Sequence, residues 1–164
     1  MLTKLLIVVL AAAGLGLAVR LYMERAAEDS LQPGERVAIR ELRDPLPDNS
    51  FLACPPNYCA ATASPSPVFA LPADRIAQAW RRMLAGEPSI VIVADEPTQH
   101  RLVVIQHTPL LRFPDIVTAE FVALEGDRSS VAVYSKSRYG RGDFGTNRKR
   151  VLAWLDRLRR QAGQ

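Results

Sequence analysis

Between Tyr134 and Arg150 the chain reads Tyr-Ser-Lys-Ser-Arg-Tyr-Gly-Arg-Gly-Asp-Phe-Gly-Thr-Asn-Arg-Lys-Arg. Arg138, Asp143, Asn147 and Arg150 in it are costly to bury unless paired. Ser135 and Ser137 stand just before them, and Asp115 lies upstream. Guanidinium groups among carboxylates do one of two jobs. Paired internally they form a structural lock, with Arg138 forked onto Asp115 or Asp143 and Asn147 capping the following helix. Left open beside the first amides of that helix, they hold an anion. Structural ion networks are a common source of such clusters, which favours the lock.

Other chemistry can be weighed at the same residues. A hydrolase would use a carboxylate or serine from Asp115, Ser137 and Asp143, and His107 with Asp115 and a serine is a conceivable triad. No Gly-x-Ser-x-Gly elbow supports it. Gly140-x-Gly142-x-x-Gly145 matches a dinucleotide fingerprint, but the chain ends after one more helix, without the second parallel strand that such a site needs. These glycines are better employed supplying positive φ and close packing of the loop on a sheet. Cys54 and Cys59 suit a small disulfide loop in an exported chain. They have no metal-ligand spacing to His100 or His107, so neither a metal nor a cofactor is expected.

The pattern Ser135-x-Ser137-Arg138-x-Gly140-x-x-Asp143-x-Gly145-x-Asn147-x-x-Arg150 resembles the signature of the uncharacterised family catalogued as domain of unknown function 1499. Arg112-Phe113-Pro114-Asp115 is similar to that family's second motif. Cys54-Pro55-Pro56-Asn57-Tyr58-Cys59 is similar to its amino-terminal cysteine motif, with Tyr58 inserted before Cys59. The resemblance runs from Cys54 to Leu158. It implies a bacterial envelope or plastid-type setting and carries no established activity.

Hydrophobic periodicity supplies the elements that must position these residues. Ile76, Ala79, Trp80, Met83 and Leu84 recur at helical spacing, with Asp74 in the first turn and Gly86 as a stop. Strands are expected over Ile90–Ala94, Leu102–Thr108, Ile116–Leu124 and Val131–Ser135, the last two joined by the turn Glu125-Gly126-Asp127-Arg128. A closing helix from about Asn147 places Val151, Leu152, Leu155 and Leu158 on one face and Arg148, Lys149, Arg157, Arg159 and Arg160 on the other. The expected fold is α+β: one small domain over 68–161, an antiparallel sheet of about four strands with both helices on one face.

Eight of the twelve prolines fall between Pro33 and Pro72, so 24–67 is expected to be an extended linker that becomes ordered near the domain. Ahead of it, Leu5 to Val19 is an unbroken apolar or glycine run behind Lys4, which makes 1–23 a membrane anchor or signal. A count of flanking arginines would put the domain in the cytosol. The short positive tail before the apolar segment reads instead as a signal-anchor. The cysteine pair and the family resemblance favour export, to the periplasmic face of a bacterial inner membrane.

The chain is basic overall at +4, but unevenly. From Lys136 onward nine Lys or Arg stand against two Asp, leaving twelve basic and fifteen acidic residues before it. That end offers a basic surface to an anionic lipid or an envelope protein. No nucleic-acid motif accompanies it, and export would exclude that partner. The expected function is therefore a membrane-anchored, non-catalytic binding or assembly factor of the envelope. The alternatives are a hydrolase, and a small-ligand carrier if sheet and helices enclose an apolar cavity.

Overall fold

In a computed structural model, residues 2–26, 31–87 and 89–163 are described. Helix α1 (Leu2–Ala26) contains a 19-residue segment, Lys4–Tyr22, of mean hydropathy 2.2 that is not buried against the rest of the chain. It is long and apolar enough to cross a membrane, a property that a signal sequence shares.

The folded domain is α+β. Its elements are β1 (Ser50–Cys54), β2 (Ser64–Pro65), β3 (Val68–Phe69), α2 (Ala73–Ala85), β4 (Ile90–Glu96), β5 (Arg101–His107), β6 (Pro114–Leu124), β7 (Arg128–Ser137) and α3 (Thr146–Ala162). Strands β4 to β7 form the expected antiparallel meander. The sheet is larger than expected, however, and mixed: seven strands in the order β2-β1-β7-β6-β5-β4, with β3 also pairing β7 and β1 parallel to β2. Strands β1 and β2 come from the stretch expected to be linker. The prolines there flank β1 at Pro47 and Pro55 without entering it, so its backbone donors remain free to pair with β7.

Alternation along the strands sorts side chains to two faces. On one, Val131 and Val133 of β7, Val117, Ala119 and Phe121 of β6, and Leu102 and Val104 of β5 pack against α2 and α3. Trp80 meets both Phe121 and Trp154 edge-on, filling the space between sheet and helices. Two details differ from the periodicity reading of α3. Leu152 is exposed, and Trp154 takes the buried place beside Val151, Leu155 and Leu158. Arg157 is drawn off the solvated face onto Glu87.

The opposite face is covered by residues 31–47, which are a packed strap rather than a tether. Ile39 is completely buried with Leu52, Ala132 and Tyr134, and Leu31 packs on Val103, Ile105 and Ile116. The Ile39 amide donates to Glu120 Oε1 (3.1 Å), and the Tyr58 hydroxyl donates to Glu120 Oε2 (2.8 Å). These bonds satisfy a carboxylate that the strap buries. Cys54, at the end of β1, is disulfide-bonded to Cys59 beside this cluster. Residues 27–30 of the expected linker lie outside the described residues.

Candidate functional site

The motif residues meet where β6 and β7 end and α3 begins. Asp115 stands opposite Ser137 in the β6–β7 ladder, two rows from the Val117–Ser135 pair, so all four face the helices. Helix α3 then presents Asn147 and Arg150 one turn apart on the same side. Arg138 goes elsewhere. It follows Tyr134 and Lys136 by parity and crosses to the strap face.

That parity corrects the expected pairing. Arg138 is forked onto Glu35, Nε to Oε1 and Nη2 to Oε2, both at 2.7 Å, and not onto Asp115 or Asp143. Its side chain is 2% exposed and Glu35 is 16% exposed. Asp115 is paired instead with Arg150, with side-chain exposures of 2% and 7%. Arg150 Nη1 also donates to Ser135 Oγ (3.0 Å) and Asn147 Oδ1 (2.7 Å). Ser135 Oγ donates to Asn147 Oδ1 (2.6 Å). The Asn147 amide nitrogen donates to the Asn49 carbonyl (2.9 Å) and Ser137 Oγ (3.0 Å). Arg150 thus reaches the buried Asp115 carboxylate with one end of its guanidinium, while Ser135 and Asn147 hold the other end and Ser137 holds Asn147.

Asn147 was expected as the helix cap, but it is the second residue of α3 and fully buried. Asp143 satisfies the helix start: its carboxylate accepts from the Gly145 amide (3.0 Å) and the Asn147 amide (2.7 Å). Gly140 and Gly145 take positive φ, 87° and 76°, whereas Gly142 does not and Phe144 does, at 51°. A Cβ at Gly142 or Gly145 would meet open space, so the glycines serve the loop's path and not close packing.

Burial pushes the Asp143 carboxyl up, but the Asn147 and Gly145 amides outweigh it and hold it below its ordinary value. A depressed folded-state value contributes stability above the ordinary pKa, lost as pH falls through the folded one. Asp143→Ala, which removes both amide bonds from a partly exposed carboxylate, should cost about 0.5–1 kcal/mol near neutrality. The gap from the parent should close as pH drops below about 3.9. Urea melts at neutral and acid pH check this, and an unchanged gap would contradict it.

Asp115, Ser137 and Asp143, the residues a hydrolase would use, line a common cleft of about 290 Å³ with Phe113, Tyr139 and Phe144. Each is already engaged in the fold. Asp115 is held by Arg150, Asp143 caps α3, and among the described residues Ser137 bonds no general base. The triad with His107 fails on parity. His107 shares the face of Val103 and Ile105, across the sheet from Asp115. Among the described residues no three His, Cys, Asp or Glu converge as a metal site.

Two partners escaped sequence reasoning. Glu35 is 103 residues from Arg138. Asn49 is buried and donates to the carbonyls of Ser137 (3.0 Å) and Gly140 (2.7 Å), fastening the glycine loop to the start of β1. Both sit in the proline-rich stretch, where polar residues resemble solvated linker.

Comparison with curated proteins finds no match. The model of the family described as "Protein of unknown function (DUF1499)" matches residues 44–158, a span that takes in β1, the Asp115–Arg150 network and most of α3. The chain belongs to the DUF1499 family.

Proposed function

We propose that this chain is a membrane-tethered, non-catalytic binding or assembly domain, held by α1 and exposed on the periplasmic side of a bacterial inner membrane. One observation carries the reading: the charged and amide side chains of the family motifs, from Asp115 to Arg150, are engaged in holding the fold together. A hydrolytic site needs a nucleophile touching a base and a carboxylate free to take a proton. Here Ser135 and Asn147 hold Arg150, Arg150 holds Asp115, and Asp143 serves the helix. The apolar helix and the cysteine pair support the tethered, exported setting.

Topology is tested by reporters fused after Gln164. A reporter active only outside the cytosol should work, and protease added to spheroplasts should digest the domain. A cytosol-active reporter with full protection from protease would sink the placement. Ser137→Ala tests the non-catalytic reading in the same strain. It should leave a cellular phenotype intact, and a lost phenotype at unchanged stability would favour the hydrolase.

A further inference from the structure

The strap does not lie flat on the sheet. Between Glu35 and Pro47 it arches over β6 and β7 and leaves a cleft of about 280 Å³. Leu42, Leu46 and Ile116 give it apolar walls, and Thr118, Lys136 and Arg43 also line it. It lies across the sheet from the Asp115–Arg150 network, with the Arg138–Glu35 pair at its border.

Three observations say what chemistry the cleft would accept. First, its charge is unbalanced. Among the described residues the one lining carboxylate, Glu35, is engaged by Arg138, while neither Lys136 nor Arg43 has a carboxylate partner. Second, Thr118 is 1% exposed and, among the described residues, its hydroxyl oxygen has no hydrogen-bond partner. A buried hydroxyl left unsatisfied asks for a polar atom that the protein does not itself provide. Third, most of the remaining wall is aliphatic or proline, which a free phosphate or sulfate would leave poorly covered. Its volume lies near the lower limit of about 300 Å³ for small-molecule sites, below what a drug-sized ligand needs.

We infer that the strap cleft binds a small organic monoanion, a carboxylate on a short apolar body. The carboxylate meets Lys136 and Arg43, and the apolar part lies against Leu42, Leu46 and Ile116. This deepens the binding reading by naming a ligand class and a place for it.

Hexanoate is a suitable probe, titrated by saturation-transfer NMR against the full chain in lipid nanodiscs, with empty nanodiscs as the blank. Binding should saturate above that blank. The uncharged 1-hexanol should bind at least about tenfold more weakly, equivalent to about 1.4 kcal/mol. Lys136→Gln should lower hexanoate affinity by a similar factor. Leu46→Trp should abolish binding by filling the cleft, and Lys149→Gln on α3 should change nothing. Lys136 is exposed, so its variant should fold, and a tryptophan fluorescence melt verifies that; the Lys136→Gln result decides the matter if Leu46→Trp does not fold. Hexanoate signals equal to the blank, equal binding of hexanol, or unchanged affinity in Lys136→Gln would each overturn the inference. Those outcomes leave the topology result untouched, because binding in nanodiscs does not depend on which side of a cell membrane the domain occupies.

Discussion

Replacing Arg150 with alanine is expected to cost about 3–5 kcal/mol, because it leaves the Asp115 carboxylate buried without its counter-charge. The Asp115 side chain is 2% exposed, so water cannot take over. Ser135 Oγ and Asn147 Oδ1 also lose a charged donor. Domains of this size hold about 5–15 kcal/mol in total, so much of the stability should disappear. Arg150→Lys should rescue poorly, since one ammonium nitrogen cannot stand both where Nη1 meets Ser135 and Asn147 and where Nη2 meets Asp115. Adding Asp115→Asn to Arg150→Ala should recover part of the loss, because the stranded charge is then gone. Urea unfolding of the full chain in detergent checks all three. The chain's two tryptophans, Trp80 and Trp154, are both in the domain core, so their fluorescence follows the domain and not α1. Parent-like unfolding of Arg150→Ala would refute the lock.

Arg138→Ala should cost about 3 kcal/mol, the lower end of that range, because Glu35 keeps some contact with water. Its distinguishing effect is local. Glu35 holds the beginning of the strap, and Arg36, Arg40 and Arg43 follow within it. Losing the clasp should expose those arginines to trypsin at urea concentrations where the tryptophan signal is still native. Arg159→Ala, on the exposed side of α3, should stay within about 0.5 kcal/mol of the parent and leave the strap resistant. A trypsin-resistant strap in Arg138→Ala would show that the remaining contacts suffice.

The parts of the fold that were legible in the sequence are those whose burial repeats locally. Ile76, Trp80 and Met83 disclosed α2 at helical spacing, and Val131 and Val133 disclosed β7 by alternation. Strand β1 was hidden because five residues between proline groups look the same in a linker and in a sheet. Only the distant β7 edge decides between them. Asp115, Ser135, Ser137, Asn147 and Arg150 do come together, but the pairing read for Arg138 was misassigned. Parity held the remedy: Arg138 is three residues from Ser135, an odd step that puts them on opposite faces of a strand. Its partner Glu35, and Asn49 behind Asn147, carry no local signal, since contacts across about a hundred residues are set by tertiary folding alone.

The strap has a mechanical consequence. Residues 31–47 come before every strand, so the covalent path from α1 to the sheet runs through them. Among the described residues, tension on α1 therefore reaches Leu31 and the Glu35–Arg138 clasp before any strand. The tryptophan-centred core, on the far side of the sheet, is loaded only after the strap has peeled away. The clasp is placed as a fuse: a pull from the helix would open the strap side of the domain while the sheet and its two packed helices stayed whole.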